Sequence, residues 1–341
     1  MPTVTLGKTG ITVDKNGFGA LPIQRISSQE AVAILHKALD NGITFFDTAR
    51  SYTDSEEKLG VAFKGKRDQI YLATKTPASN AQEFWKDLET SLRLLQTDYV
   101  DILQFHNPGF CPIPGGEDGL YDAMVQAREQ GKVRFAGITN HRLPIAKEAV
   151  ESGLYEILQF PLSYLSSPED EALVAQCQQK EYGFLAMKAL SGGLITNPAA
   201  AYAYMAQFEN VLPIWGVQRE TELDDFISFR KTPPQMTAEM RDEIQKDRQQ
   251  LSGSFCRGCG YCLPCPVGIQ INNCARISLM IRRAPSAGWL SEDWGKEMQK
   301  IENCLECGQC TARCPYHLDA PSLLKTNLED YQNVTAGRVE I

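Results

Sequence analysis

Eight of the eleven cysteines fall in two short runs near the C-terminal end of the chain, and each run ends in Cys-Pro. The runs consist of Cys256, Cys259, Cys262 and Cys265, and of Cys304, Cys307, Cys310 and Cys314. Four thiolates this close in sequence suit a 4Fe–4S cluster, in which each iron takes one thiolate. The spacing therefore predicts two 4Fe–4S clusters and a redox protein.

Zinc is the alternative ligand for any Cys-x-x-Cys pair. A zinc ribbon usually separates two such pairs by a dozen or more residues, whereas each run here is compact. A disulfide framework is less favoured, because residues 1–10 contain neither the basic nor the apolar region of a secretory signal. The expected location is cytoplasmic.

The fourth cysteine of each run is expected to bind the cluster of the other run, as in two-cluster ferredoxins. This pattern predicts one cluster on Cys256, Cys259, Cys262 and Cys314, and the other on Cys304, Cys307, Cys310 and Cys265. Cys265 follows Cys262 by three positions instead of four, so Cys274 stays open as a replacement ligand. Cys111 and Cys177 are interpreted as small buried hydrophobic residues.

A second group of reactive side chains follows apolar runs in the first part of the chain. Asp47 ends one such run, and Tyr52 lies in the loop after it. Lys75 ends the next run, and His106 ends the one after that. A tyrosine hydroxyl has a pKa of about 10, which a nearby ammonium lowers. With Asp47 holding Lys75 and His106 orienting a carbonyl, Tyr52 could protonate the carbonyl oxygen while hydride reaches carbon.

These side chains can meet only if the strands that carry them end at the same edge of a sheet. Buried strands are predicted at residues 16–19, 44–46, 70–73, 100–105, 133–138, 157–160, 184–187 and 211–215. Amphipathic helices alternate with them; Ser27 and Glu30 form a capping box at the start of the first. Eight strand–helix units in about 230 residues predict a (β/α)8 barrel with its reactive residues at the C-terminal face. A hairpin at 3–6 and 11–13 would close its bottom.

The predicted domains are a barrel at 1–236, a linker or helix at 237–253, and a small, mainly helical ferredoxin-like iron–sulfur domain with a tail at 254–341. The net charge of −8 argues against nucleic acid and anionic membrane surfaces as partners. No run approaches the roughly 20 apolar residues of a membrane-spanning helix.

The sequence resembles the aldo-keto reductases, in the branch with a C-terminal iron–sulfur extension. The motifs that carry this resemblance are Phe46-Asp47-Thr48-Ala49, Ser51-Tyr52, Ser55-Glu56, Ala73-Thr74-Lys75, His106, Gly137-Ile138-Thr139-Asn140 and the cysteine run at 256–266. The resemblance implies that Asp47, Tyr52, Lys75 and His106 form a catalytic tetrad, with Tyr52 as proton donor and a small carbonyl compound as substrate.

The same resemblance implies that the barrel binds NADPH. Thr139, Asn140 and Gln159 match the residues that bind the nicotinamide carboxamide, and Met187 matches the position that stacks on its ring. The pyrophosphate loop corresponds to 188–193, with Lys188, Leu190, Gly192 and Gly193 as contacts, and Gly216 and Arg219 lie in the region that binds the 2′-phosphate. Phe226 stands where relatives commonly have Asn, so NADH stays open as an alternative.

Three functions fit these patterns to different degrees. The intact tetrad favours an NADPH-dependent carbonyl reductase whose clusters organise the C-terminal domain and wall the substrate pocket. The ferredoxin-like spacing keeps open an electron-transfer oxidoreductase with a ferredoxin or flavoprotein partner. An iron–sulfur redox sensor on a barrel scaffold has no positive feature in the sequence.

Overall fold

The computed structural model of the chain describes residues 2–251, 255–283 and 286–339. Two compact units emerge from its internal contacts. The first comprises Met1–Ala189 and Ala199–Thr237, and the second comprises Leu190–Pro198 and Ala238–Ile341. The range expected to be a linker or helix, 237–253, contains a helix, and its last two residues, 252 and 253, lie outside the described residues, as does 254, the predicted start of the next domain.

The first unit is a closed barrel of eight parallel strands. The strands of this barrel are β3 (Gly17–Gly19), β4 (Phe45–Asp47), β5 (Tyr71–Thr76), β6 (Val100–His106), β7 (Val133–Thr139), β8 (Ile157–Pro161), β9 (Gly183–Met187) and β10 (Val211–Gly216). They pair in chain order, and β10 pairs with β3 to close the ring. The predicted (β/α)8 barrel is therefore confirmed.

One strand end differs from the prediction. Lys75 was expected to end its strand, but β5 continues to Thr76, and Lys75 pairs with Gln104 of β6 in the parallel ladder. Backbone hydrogen bonds between strands do not depend on apolar side chains, so β5 extends beyond its apolar residues. Lys75 is thus an interior residue of β5, with a strand residue on either side of it in the chain.

The predicted hairpin is present as β1 (Thr3–Thr5) and β2 (Thr12–Asp14), which pair antiparallel. Its apolar residues, among them Val4 and Leu6, share a core with barrel residues such as Phe45 and Leu212. Gly7 lets this hairpin approach the barrel: its φ is +48°, and a Cβ there would lie 2.1 Å from the carbonyl oxygen of Glu181. The hairpin therefore closes the N-terminal end of the barrel.

Eight helices alternate with the barrel strands. They are α1 (Ser28–Asp40), α2 (Ser55–Ala62), α3 (Ala81–Leu95), α4 (Leu120–Glu129), α5 (Leu143–Ser152), α6 (Pro168–Gln179), α7 (Pro198–Ala206) and α8 (Glu220–Lys231). The predicted capping box opens α1, with Ser27 accepting from the Glu30 N–H and Glu30 accepting from the Ser27 N–H. The helices let each strand return to the same end of the sheet.

The second unit consists of short helices and loops. Its helices are α9 (Ala238–Gln250), α10 (Ile271–Cys274), α11 (Ile277–Arg283), α12 (Glu292–Gln299), α13 (Gln309–Ala312) and α14 (Ala320–Thr335). A small apolar core includes Ile271, Ile277 and Leu324, with Trp289 and Trp294 packed against it. This agrees with the predicted small, mainly helical domain. No helix in the described part of the chain is long and apolar enough to cross a membrane.

Candidate active site and cysteine sites

The Asp47–Lys75 pair lies inside the C-terminal part of the barrel. The Lys75 ammonium donates to Asp47 Oδ2 and to the carbonyl oxygen of Thr48, both at 2.6 Å. Both side chains are buried: Lys75 is 1% exposed and Asp47 3%. β4 and β5 are neighbours in the barrel, so the sheet itself brings the carboxylate and the ammonium together.

Tyr52 and His106 lie beside this pair. The Lys75 Nζ is 5.2 Å from the centre of the Tyr52 ring. The rings of Tyr52 and His106 meet edge to face, with their centres 5.8 Å apart. Ser51 Oγ is 3.1 Å from His106 Nδ1. The structure therefore brings the four predicted residues together at one end of the barrel.

Burial shifts the pKa values of the charged members of this group. It lowers the pKa of Lys75, which the charge of Asp47 opposes. It raises the pKa of Asp47, which Lys75 opposes. Burial and the charge of Lys75 lower the pKa of His106 to about 3. His106 is therefore neutral at physiological pH and can serve as a hydrogen-bonding group.

The residues expected to bind the carboxamide lie at the end of β7, directly after it, and in the middle of β8. Thr139 and Gln159 are register partners in the parallel ladder. The Thr139 hydroxyl is 3.8 Å from the sulfur of Met187, and the Asn140 amide donates to the carbonyl oxygen of Pro108 at 2.8 Å. Thr139, Asn140 and Gln159 are all buried. The predicted carboxamide residues are thus adjacent and held by neighbouring strands.

The segment expected to be the pyrophosphate loop has an unusual backbone. Lys188, Ser191, Gly192 and Gly193 have φ values of +62°, +50°, +67° and +93°. Two non-glycine residues in the left-handed region within four positions represent backbone strain. Turns that combine left-handed and right-handed residues point successive N–H groups to one side, a geometry that binds anions.

The residues expected near the 2′-phosphate include an exposed arginine. The Arg219 guanidinium donates to Glu222 Oε1 at 2.6 and 2.9 Å, and 64% of its side chain is exposed. Phe226 is buried and stacks on Trp215, with ring centres 4.4 Å apart. Phe226 therefore belongs to the core, and Arg219 is a partly exposed cation that is paired with Glu222.

The first cysteine run lies in loops of the second unit. Burial raises the pKa of Cys256; the N–H of Gly258, 3.4 Å from its sulfur, and the charge of Arg276 oppose that rise, whereas Cys259 and Cys314 add to it. These thiols are thus near enough to influence one another's ionisation. The charge of Cys314, the fourth cysteine of the second run, thus affects the ionisation of Cys256 in the first run.

The second cysteine run borders an open cavity. Cysteines that line this cavity are Cys262, Cys265, Cys304, Cys307 and Cys310. In the described ranges no group of three or more His, Cys, Asp or Glu side chains is close enough to hold a metal ion. Cysteines of both runs line this one space, an arrangement that suits a cluster of several irons.

The cysteines outside the two runs are core residues. Cys111 and Cys177 are buried in the first unit. Cys274, the replacement considered for Cys265, is fully buried in the apolar core of the second unit and does not line the cavity. Cys265 does line it, and so is better placed to be a ligand.

Comparison with known proteins decides the family. Residues 15–211, more than half of the chain, match the Aldo/keto reductase family, and residues 255–319 match a 4Fe-4S dicluster domain. The chain belongs to the aldo/keto reductase family. The resemblance stated from the sequence is confirmed for both parts.

Curated relatives match slightly more than half of this aldo/keto reductase family member. It is 32% identical over 214 residues to L-galactose dehydrogenase of Arabidopsis thaliana, which covers 56% of this chain and 66% of that protein. It is 29% identical over 217 residues to the aldo-keto reductase YhdN of Bacillus subtilis (strain 168), covering 58% and 64%. The chain therefore spans slightly less than two thirds of the length of these relatives.

Solved structures share the fold. An aldo-keto reductase from Klebsiella pneumoniae in complex with NADPH gives a TM-score of 0.61 at 24% identity, covering 72% of this chain and 94% of that chain. The holo form of an aldo-keto reductase from Bacillus halodurans gives 0.64 at 22% identity, covering 72% and 96%. Both likenesses agree with the barrel architecture.

Three residues near the sites were given no role from the sequence. Gln104 lies inside the barrel beside Gln159, Ser51 contacts His106, and Arg276 donates to the carbonyl oxygen of Gly192 at 3.0 Å within the second unit. A signal for Gln104 existed: it precedes His106 by two positions, and such residues share a face of a strand. No comparable signal marks Arg276, whose partner is distant in sequence.

Proposed function

We propose that this protein reduces an aldehyde or ketone to an alcohol with NADPH, and that Tyr52 is the general acid. One observation carries the proposal: Lys75, bound to buried Asp47, lies 5.2 Å from the Tyr52 ring, and His106 contacts the same ring. A phenol, a cation and a neutral imidazole together suit the protonation of a carbonyl oxygen.

NADPH, when bound, supplies a hydride to the carbonyl carbon. The Tyr52 hydroxyl gives its proton to the carbonyl oxygen, and the positive charge of Lys75 stabilises the tyrosinate that remains. Solvent then returns a proton to Tyr52. If the Ser51 hydroxyl donates to His106 Nδ1, the ring proton lies on Nε2, which can hold the carbonyl oxygen.

Residues of the barrel and of the strained loop fit a nicotinamide nucleotide. Thr139, Asn140 and Gln159 offer buried hydroxyl and amide groups to a carboxamide. The left-handed residues of 188–193 suit a pyrophosphate, and Arg219 suits a 2′-phosphate. The NADPH complex of the Klebsiella pneumoniae neighbour supports the choice of nucleotide.

We also propose two 4Fe–4S clusters with crossed ligands. Cys256, Cys259, Cys262 and Cys314 would hold one cluster, and Cys304, Cys307, Cys310 and Cys265 the other. Cys265 lines the cavity of the second run and Cys274 does not, which favours Cys265 as the fourth ligand, and the influence of Cys314 on the pKa of Cys256 supports its place in the first set. The clusters would organise a unit whose apolar core is small.

The decisive experiment replaces Tyr52 by Phe in anaerobically purified protein. NADPH oxidation with a panel of small aldehydes and ketones should fall by about 10²-fold or more, because the proton donor is lost. NADPH binding, measured by fluorescence titration, should persist. Tyr121→Phe is the control: it also removes a hydroxyl from the barrel unit, one that donates to the carbonyl oxygen of Leu154. Equal turnover in the Tyr52 and Tyr121 variants would reject the mechanism.

A second candidate function is electron transfer with a ferredoxin or flavoprotein partner. Cys307 is exposed, and its neighbour Leu305 is 65% exposed. A cluster held there would lie at the surface of the second unit, within reach of a partner. Reduced ferredoxin supporting turnover without NADPH would favour this function. A reduced-cluster EPR signal at the rate of NADPH oxidation, without added flavin, would favour it too.

A further inference from the structure

Gln104 is a buried polar residue that the proposed chemistry does not use. It lies on β6 with no exposed surface, and its register partner in the sheet is Lys75. Its amide nitrogen is 2.9 Å from Gln159 Oε1 and 3.5 Å from Asp47 Oδ1. Gln104 therefore lies between the Asp47–Lys75 pair and a residue expected to bind the nicotinamide carboxamide.

The contacts of Gln159 define which way its amide faces. Its oxygen accepts from Gln104, and its nitrogen is 3.4 Å from Asp47 Oδ2. An amide has one end that accepts and one that donates, so partners of opposite kind specify its orientation. Each end keeps a further hydrogen-bonding site, namely a lone pair on the oxygen and a hydrogen on the nitrogen.

The barrel wall is shaped around the Gln104 side chain. A Cβ at Gly137 on β7 would lie 2.8 Å from Gln104 Cγ, so the glycine leaves the space that this side chain fills. The Gln104 amide oxygen has no hydrogen-bond partner among the described residues. A buried polar group with an unpaired atom is unfavourable, so packing alone does not explain a glutamine here.

We propose that Gln104 is a positioning residue that orients the Gln159 amide, so that Gln159 presents its oxygen to the amide nitrogen of a nicotinamide. This inference rests on the proposed function, because it needs a nicotinamide nucleotide in the barrel. Gln104 acts through Gln159 and does not contact the reacting atoms.

Gln104→Met tests the proposal, because it keeps the length of the side chain and removes its donor. Affinities for NADPH and for 2′,5′-ADP, which lacks the nicotinamide, are measured by fluorescence or calorimetric titration. We expect NADPH binding to weaken about tenfold, the loss of about one hydrogen bond, and 2′,5′-ADP binding to stay within twofold. Equal losses for both ligands, or no loss for NADPH, would overturn the proposal.

Asn16→Leu is the matched control. Asn16 is also a buried amide in the barrel unit; it accepts from the Trp215 indole and donates to Asp14, away from the tetrad. This variant should lower thermal stability and leave the ratio of the two affinities unchanged. A ratio that changes as it does in Gln104→Met would show that any buried amide has this effect, and would reject a specific role.

Gly137→Ala provides a second route to the same result. The added Cβ must displace Gln104, so this variant should also weaken NADPH relative to 2′,5′-ADP, and the double variant should be no worse than Gln104→Met alone. Additive losses would contradict the coupling. If wild-type protein binds 2′,5′-ADP but not NADPH, the proposed function fails, a result distinct from an unchanged Gln104→Met variant.

Discussion

The barrel site and the cysteine sites are held together in different ways. In the barrel, Asp47 and Lys75 lie on neighbouring strands, and their charges and polar atoms are met by protein groups. In the second unit, the cysteines lie in loops and in short helices such as α13, around an open cavity. The first arrangement pairs an ammonium with a carboxylate, whereas the second places several thiols around one space.

The pKa values of the buried thiols bear on how the second unit folds. Burial raises the pKa of Cys262 to about 12, and nearby thiols such as Cys256 add to the rise. A metal is bound by thiolates, not by thiols. Burial disfavours the thiolates in this unit unless a bound metal compensates their negative charge. We infer that the barrel can fold on its own hydrogen bonds and core, and that the cysteine region depends on iron.

The largest expected effect is that of iron removal. Chelation under reducing conditions should unfold the second unit, because its thiols lose the charge that holds them together, while the barrel keeps its thermal transition. Circular dichroism and limited proteolysis would report the two units separately. Before chelation we expect about eight irons and eight sulfides per chain. Two zincs without sulfide, or an unchanged second unit, would contradict this prediction.

Single cysteine variants test whether the cysteines of the two runs bind iron and the cysteines outside them do not. Cys304→Ala should lose about half of the iron, because one of the two proposed clusters loses a ligand. Cys177→Ala is the control, since Cys177 is equally a free cysteine but is buried behind the barrel in α6. Its iron content should be unchanged. Equal iron loss in the two variants would remove the distinction between the runs and the other cysteines.

The next largest effect concerns the buried ion pair. Lys75→Met should lower carbonyl reduction by about 10²-fold or more and cost about 3–5 kcal/mol of stability, because Asp47 is left buried and unpaired. The double variant with Asp47→Asn should regain much of the stability and none of the activity. Chemical denaturation and NADPH oxidation measure the two quantities. Lys132→Met, which breaks the surface pair with Glu89, should cost less than about 1 kcal/mol.

The stability of the barrel is also expected to depend on pH. The pKa of His106 is about 3 in the folded chain and about 6.5 when unfolded, so between these values only the unfolded state binds the proton. Barrel stability should therefore fall as pH drops from 6.5 toward 3, by at most about 1.4 kcal/mol per pH unit from this residue. His106→Asn should flatten the dependence measured by denaturation. An identical slope in the variant would show that His106 is not its source.

The smallest effect is expected at Arg219. Arg219→Ala should weaken NADPH binding by about tenfold or less, because the side chain is exposed and already paired with Glu222. NADH, which lacks the 2′-phosphate, should bind as before. Glu222→Gln should strengthen NADPH binding by releasing the guanidinium. Equal effects of Arg219→Ala on both nucleotides would place the 2′-phosphate elsewhere.

Much of this protein was predictable from local sequence. Alternating apolar runs and helical stripes predicted the barrel, since the eight strands and their order follow from right-handed connections between neighbours. The ends of those runs predicted that Asp47, Tyr52, Lys75 and His106 would meet, because parallel strands share one rim. Cysteine spacing predicted a cluster domain, since the ligands of a cluster are close in sequence.

Only the tertiary structure revealed contacts between residues that are distant in sequence. Gln104 meets Gln159 because alternate strands of the barrel, here β6 and β8, contribute side chains to one interior layer, and Gly137 on the strand between them makes room for Gln104. Phe226 lies in the core because it stacks on Trp215, which no local pattern indicates. Sequence determines the types of residue and the period of each element, whereas the closure of the sheet decides which side chains touch.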